Sequence, residues 1–329
     1  MEKKGGRILR YTVSLSVACI LVYFAFRKND WQEFFYGLAH TNWLYIILSM
    51  LAAVVALVFR AERWRNQLLP LDGNVSRKSV WHGSNIGNFM SLAIPGVGEL
   101  YRCAHVSTAK ASYDKTFGTI LMERSWDVLA ILVLLTGAAL GNRQTIVPFL
   151  KENVIGPFAG RFSFPVWWLA GAVFILGAGA IACIFLLRNR SAFCSRVTVW
   201  LKGMTSGFAS FGKIRNKTLF LIYTVGIWVM YILMTYLTFL AIPGFEGLTF
   251  SDAVFISAIG NIASVIPTPG NIGPYHYLVG LSISTIYLNA STIVAPALLC
   301  ATLSHGSHAL LLIIVGLESY LSSGMTAQH

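Results

Sequence analysis

Residues 259–275 read IGNIASVIPTPGNIGPY, and this stretch decides how the chain folds. It is apolar enough to enter a membrane, but its prolines and glycines interrupt any continuous helix. A similar stretch, residues 86–101, reads IGNFMSLAIPGVGELY. Both begin I-G-N-x-x-S and continue through I-P and glycines to a tyrosine. Two broken helices at matching places in two halves of a chain are typical of a transporter's binding site.

The composition indicates an all-α polytopic membrane protein, which we expect to form a single transmembrane domain over residues 1–329. Hydrophobic residues make up 56% of the chain and charged residues 12%, whereas soluble domains are about 25% charged. The net charge of +12 would suit nucleic acid in a soluble protein. No nucleic-acid-binding signature accompanies it, so we assign the charge to cytoplasmic loops.

Apolar runs predict six full spans and two re-entrant helical hairpins. The N-terminal run follows a basic start but has no A-x-A-like cleavage site, so we interpret it as an uncleaved first span. An amphipathic segment, Trp31 to His40, is expected at the membrane interface. The spans run from about Ile8 to Phe26, Trp43 to Phe59, Phe117 to Leu140, Val166 to Leu187, Thr218 to Leu240 and Thr292 to Glu318; the broken segments are Val80 to Arg102, with a turn at Pro95–Gly98, and Phe250 to Ile286.

Basic residues orient this topology. With both termini cytoplasmic, nineteen of the twenty-five Lys and Arg residues fall inside, five fall outside and Arg124 lies within the membrane. Each half then holds three spans and one hairpin. Because three is odd, the second half, 166–319, is inverted relative to the first, 1–140. The hairpins are expected to enter from opposite sides and to meet near the midplane.

The glycine turns supply candidate binding groups. Free backbone N–H groups at a helix start suit anions, and tight helix packing is the structural alternative for these glycines. Glu99 either complements its own helix dipole or takes part in binding, and Arg102 either takes a phosphate or pairs with Glu99. The candidate site residues of the two turns are Asn88, Pro95, Gly96, Gly98, Glu99, Arg102, Asn261, Pro267, Pro269, Gly270, Gly273, Tyr275 and His276.

The third span carries Glu123, Arg124 and Asp127. Each charge costs roughly 2.5–3.5 kcal/mol in mid-membrane on insertion scales, so the three are expected to pair and face the protein interior. Arg124 can reach Asp127 across one turn. Two interpretations of the trio remain. It is either a buried ion cluster that locks helices together, or a polar wall for a headgroup or a proton.

The last span contains His305 and His308 one turn apart. Interhelical hydrogen bonds or a proton relay suit them better than a metal, because no H-E-x-x-H pattern is present. His305 joins the candidate site. The five cysteines form no C-x-x-C, and neither metal nor cofactor is expected.

Three motifs resemble the lysylphosphatidylglycerol synthase transmembrane-region family, also called the flippase-like domain family. They are Ile94–Arg102, the Glu123-Arg124…Asp127 trio and Ile266–Gly273. The family includes the membrane half of MprF-type aminoacyl-phosphatidylglycerol synthases and flippases. Its members often have Glu soon after the second glycine motif, where this sequence has Pro274–His276. Because the sequence ends at His329 without the soluble transferase domain, the resemblance implies lipid handling and not lysyl transfer.

We therefore expect a non-enzymatic lipid translocase of a bacterial cytoplasmic membrane, acting on an anionic or phosphate-bearing lipid. The alternative is an accessory subunit that presents a lipid to a separate glycosyl- or aminoacyl-transferase, and a small-solute transporter is a third reading. Membrane lipids are the expected partners, with a separate transferase or a second copy of the chain as further candidates and no nucleic acid.

Overall fold

The computed structural model describes residues 16, 19–27, 29–156, 192–214, 216–288, 290 and 293–326. Within these ranges the chain forms helices and no strands. Residues 19–26 of the predicted first span are helical. The predicted fourth span, Val166 to Leu187, lies outside the described residues.

The helices follow one another with short connections. In chain order they are α1 (Trp31–Ala39), α2 (Trp43–Leu68), α3 (Arg77–Ala93), α4 (Val97–Val106), α5 (Tyr113–Gly141), α6 (Arg143–Phe149), a π-helical turn (Leu150–Ile155), α7 (Ala192–Ala209), a 3-10 turn (Ser210–Lys213), α8 (Lys217–Ala241), α9 (Phe250–Ile262), 3-10 turns at Ala263–Val265 and Pro269–Asn271, α10 (Pro274–Ile286) and α11 (Ala295–Thr326).

Four helices in the described part of the chain are long and apolar enough to cross a membrane. They are α2, α5, α8 and the Ala295–Ser323 portion of α11, and each corresponds to a predicted span. The chain is therefore a multi-pass helical membrane protein. The total of six spans stays a prediction.

The start of each interrupted segment is fixed by a local cap. The Ser76 side chain accepts a hydrogen bond from the Ser79 N–H at the start of α3. At the start of α9, Thr249 and Asp252 cap each other in a capping box. Such caps satisfy N–H groups that a helix cannot pair internally. The sequence thus specifies where each hairpin begins.

The helix of the second span runs beyond the predicted end of the span at Phe59. Helix α2 continues to Leu68, and Arg63 within the extension is fully buried. The sequence predicts that the basic cluster from Arg60 to Arg65 lies at the membrane surface, but acidic side chains on α5 compensate the charges of Arg60 and Arg63 inside the protein. Arg60, Arg63 and the buried Arg102 therefore do not count as loop charges, which reduces the predicted inside excess.

The two broken segments each form two helices joined by a non-helical connection. In the first, α3 and α4 are separated by residues 94–96, so the predicted turn at Pro95–Gly98 is too long because Val97 and Gly98 already belong to α4. In the second, α9 and α10 are separated by residues 263–273, which contain two 3-10 turns. Re-entry into a bilayer stays a prediction.

Helices of the two halves pack against each other in a reciprocal pattern. Helix α2 packs along α8. Helix α3 of the first hairpin packs against α11, and α9 of the second hairpin packs against α5. The largest apolar core surrounds α9, α10 and the first part of α11, where Phe255, Ile283 and Leu298 are fully buried. This arrangement positions both connections between α2, α5, α8 and α11.

Candidate functional site

The turn of the first hairpin is made by proline and glycine. Pro95 has no backbone N–H and cannot continue α3. Gly96 has φ of +81°, a left-handed conformation that favours glycine. Two residues further on, Gly98 lies against Gly87 of α3, and a Cβ added to Gly98 would fall 2.0 Å from the Gly87 carbonyl oxygen. Gly98 thus serves close helix packing, the structural alternative for the glycines.

The second connection keeps an irregular backbone through Gly273. Gly270, Asn271 and Gly273 have φ of +56°, +58° and +96°. A Cβ added to Gly270 would lie 3.4 Å from the carbonyl oxygen of Leu92 in α3. The two interrupted segments therefore approach each other, as the matching motifs predict.

A cavity of about 530 Å³ lies between the two segments. This volume is in the range of small-molecule sites. Both hairpins and the helices α2, α5, α8 and α11 contribute to its wall. Its polar lining residues are Arg60, Asn88, Ser91, Glu99, Arg124, Asp127, Trp228, Tyr231, Thr235, Ser257, Asn261, Ser264, Thr268, Asn271, Tyr275, Ser304, His305 and His308.

Behind the cavity, the buried carboxylate of Glu123 is surrounded by arginines. Arg102 donates to Oε2 at 2.8 Å, and the guanidiniums of Arg63 and Arg60 lie 3.4 and 3.5 Å from Oε1. The Arg102 guanidinium also stacks over Trp64, 4.2 Å from the ring centroid. A buried carboxylate with several cationic partners ties α2, α4 and α5 together.

Two further ion pairs join the same elements. Arg63 lies 2.8 Å from Asp127, and Arg124 lies 2.5 Å from Glu99. The predicted reach of Arg124 to Asp127, and of Arg102 to Glu99, is therefore wrong: each arginine pairs with a carboxylate on a different helix. The Arg124 and Glu99 side chains are 46% and 25% exposed, so this pair faces the cavity while Glu123 does not.

The opposite wall carries neutral polar groups. The hydroxyls of Tyr275 and Ser304 are 3.0 Å apart. The His305 ring lies 4.8 Å from the Tyr275 ring and 5.4 Å from that of His276, within reach of the Gly270 carbonyl. His276 itself is buried against Phe26. Among the described residues, no group of three or more His, Cys, Asp or Glu is arranged to hold a metal ion.

The structure brings most of the sequence-derived candidates to one cavity. Those that line it are Asn88, Pro95, Gly96, Glu99, Arg124, Asp127, Asn261, Pro267, Gly270, Tyr275 and His305. Gly98, Arg102, Glu123, Pro269, Gly273 and His276 lie outside its lining.

Sequence reasoning missed Arg60 and Tyr231 as lining residues and left His308 out of the candidate set. The sequence pattern places the Arg60–Ala61–Glu62–Arg63 cluster just beyond the end of a span. The sequence does contain a signal for these residues. Arg60 and Arg63 are three residues apart, and Glu123 and Asp127 are four apart. The members of each pair therefore lie on the same face of their helix, and the two helices are adjacent.

Residues 11–316 match the family described as "Lysylphosphatidylglycerol synthase TM region", and the chain belongs to this family. It is also similar to a protein named "UPF0104 membrane protein PH1989" from Pyrococcus horikoshii, with 30% identity over 96 residues. That match covers 28% of this chain and 29% of the relative. No solved structure matches the chain. The family name connects the membrane region with lipid-modifying proteins and so supports a lipid-related membrane function.

Proposed function

We propose that the protein is a lipid translocase of a bacterial cytoplasmic membrane that moves or presents an anionic or phosphate-bearing lipid. One observation carries the proposal: a polar cavity of about 530 Å³ lies between two interrupted helical segments of an otherwise apolar helical protein. Irregular backbone at membrane depth is tolerated where it lines a cavity or is buried in protein. The family's link to lipid synthesis favours a lipid headgroup as the occupant.

The reciprocal packing supports an inverted repeat. The first hairpin contacts α11, which would be the last span of the second half, and the second hairpin contacts α5, the last span of the first half. Helices α2 and α8, the middle spans, pack together. Each half would therefore lend its hairpin to the other half, and rocking of the halves around the cavity would expose it alternately to the two sides.

The lining residues suit a polar headgroup. The backbone near Gly96 and Gly270 brings peptide groups to the wall, and Arg124 adds a charged donor beside Glu99. The apolar tails would remain in the bilayer while the headgroup passes through the cavity. No group in this arrangement acts as a nucleophile in the proposal, which assigns the protein transport and not catalysis.

The family description favours one second candidate. Because it names the membrane region of a synthase, the protein could serve as an accessory subunit that presents a lipid to a separate transferase. Such a subunit requires the same headgroup cavity. It differs in requiring a partner for any net lipid movement or modification.

Reconstitution in liposomes tests the proposal. Headgroup-labelled phosphatidylglycerol in the inner leaflet is followed by its accessibility to an impermeant reductant, with purified protein alone. We expect accelerated translocation, and a decrease of tenfold or more for Glu99→Gln with Arg124→Gln. Arg77→Gln, on an exposed side chain, is the matched control. Translocation by protein alone that equals that of empty liposomes would contradict the translocase and favour the accessory subunit.

A further inference from the structure

The arginines and carboxylates around the cavity do not balance in the part of the chain that the structure describes. Four arginines face three carboxylates, which leaves one positive charge in excess. A surplus charge away from water is unfavourable unless a counter-charge accompanies it. The groups are Arg60, Arg63, Arg102 and Arg124 with Glu99, Glu123 and Asp127.

The excess positive charge lies on Arg60. Each of the other three arginines has a carboxylate within 2.5 to 2.8 Å. The two contacts of Arg60 are longer, 3.5 Å to Glu123 and 3.4 Å to the Tyr231 hydroxyl. A guanidinium has five N–H donors, so most of those on Arg60 have no partner among the described residues. Its side chain is 18% exposed and lines the cavity.

Other hydrogen-bonding groups converge near Arg60. The Tyr231 hydroxyl accepts from Arg60 and has its own proton to donate. His308 on α11 also lines the cavity, feels the charge of Arg60, and has a buried Nδ1 with no partner in the described protein. Another carboxylate on the cavity wall, Asp127, is already held by Arg63 at 2.8 Å.

We propose that Arg60, Tyr231 and His308 form a binding site for one monoanionic oxyanion, a phosphate diester, between α2, α8 and α11. A single excess charge matches a diester better than a phosphomonoester, which carries nearly two charges at neutral pH. A guanidinium matches phosphate geometry in bidentate fashion. The inference rests on the proposed lipid function and places the phosphate at Arg60, away from the glycine turns.

Binding measurements with defined probes test the site. Native mass spectrometry of the detergent-purified protein would compare phosphatidylglycerol, a diester, with diglucosyldiacylglycerol, which has no phosphate. We expect Arg60→Gln to weaken phosphatidylglycerol binding at least tenfold, with glycolipid binding changed less than twofold. Arg60→Lys keeps the charge but loses the bidentate guanidinium, so we expect an intermediate loss of phosphatidylglycerol affinity. Arg77→Gln is the matched arginine control.

In the binding assay, two results for Arg60→Gln overturn the site: wild-type affinity for phosphatidylglycerol, or an equal loss of binding for both lipids. If Arg60→Gln does not fold, Tyr231→Phe decides, because it removes only a hydroxyl. Phosphatidylglycerol binding should fall about threefold or more in this variant, and an unchanged affinity overturns the site.

A tail-free headgroup separates this inference from the proposed function. Glycerophosphoglycerol that competes at Arg60 as tightly as the lipid supports the anion site and contradicts a lipid substrate. Phosphatidylglycerol translocation that proceeds at the wild-type rate in Arg60→Gln overturns the site and leaves the translocase proposal standing.

Discussion

The first hairpin, α3 and α4, turns within residues 94–96, whereas the second, α9 and α10, takes residues 263–273 to turn. The first is closed by direct contact between Gly87 and Gly98. The second contains three residues with positive φ, Gly270, Asn271 and Gly273, a conformation that a right-handed helix lacks. One segment is tightly packed along its length, and the other exposes more irregular backbone to the cavity.

The hairpins also differ in charge. On α4 of the first hairpin, Glu99 and Arg102 both form ion pairs with α5. In residues 250–286, Asp252 is the one Asp, Glu, Lys or Arg, and it lies in the first turn of α9. The facing groups there are neutral, such as Tyr275 with Ser304. Similar motifs have thus produced a charged wall on one side of the cavity and a neutral wall on the other.

This difference indicates separate roles for the two hairpins. Ion pairs between buried groups hold elements in fixed relative positions, because breaking one leaves an uncompensated charge. Neutral hydrogen bonds and irregular backbone are cheaper to rearrange. The first hairpin is therefore expected to act as a fixed wall, and the second as the part that adapts to a ligand or moves.

The largest expected effect comes from removing the central carboxylate. Glu123→Gln leaves Arg60, Arg63 and Arg102 without their shared partner, and breaking a buried pair costs about 3–5 kcal/mol. Thermal unfolding in detergent should show a strongly lowered melting temperature or no folded protein. Glu99→Gln, on a partly exposed pair, is the matched control and should have a smaller effect. Equal melting of Glu123→Gln and the wild type would remove the distinction between the two walls.

The next largest effect on stability is expected at Gly98, which packs against Gly87. Gly98→Ala would place a Cβ 2.0 Å from the Gly87 carbonyl oxygen and force α3 and α4 apart, at a cost of about 1–3 kcal/mol or more. Gly270→Ala meets only ordinary contacts, and its cost of about 1–2 kcal/mol comes from the left-handed backbone. The melting temperature should fall further for Gly98→Ala. The reverse order would show that the second connection is the more rigid one.

Much of this architecture could be predicted from the sequence. The proline and glycine clusters locate both interruptions because they act through local backbone geometry. Four apolar runs locate the described spans. What the sequence could not supply is the partner of each charge. Arg124 pairs with Glu99, twenty-five positions away, because helix packing decides which charged faces meet. For the same reason the sequence alone predicts a loop position for Arg60 and a binding role for Gly98.

A substitution at Tyr275 measures how strongly the neutral wall is held together. Tyr275→Phe removes the hydrogen bond to Ser304, 3.0 Å long, and should lower stability by about 0.5–1.5 kcal/mol. The melting temperature in detergent measures it, with Tyr36→Phe on an exposed side chain as the control. A loss as large as that of Glu123→Gln would contradict the idea that the second hairpin is held by weaker interactions.

The smallest effect on stability is expected at the bases of the hairpins, where residues before and after each hairpin approach each other outside the spans. Asp72 precedes the first hairpin and accepts hydrogen bonds from the Asn74 N–H and, beyond the hairpin, from the Thr108 hydroxyl. These bonds favour the carboxylate and lower the pKa of Asp72 below its ordinary value. In the second hairpin, Asp252 at the start of α9 lies near the Tyr287 side chain that follows α10.

A lowered pKa in the folded state means that stabilisation is present above the ordinary Asp pKa of about 3.9. It is lost as the pH falls from there through the folded pKa. Asp72→Asn, which keeps an acceptor oxygen but no charge, should therefore melt slightly below the wild type at pH 7. The gap should close as the pH falls below about 4, in detergent scans at matched ionic strength. A gap that is the same at pH 7 and pH 3 would show that the contact at the base of the first hairpin does not depend on charge.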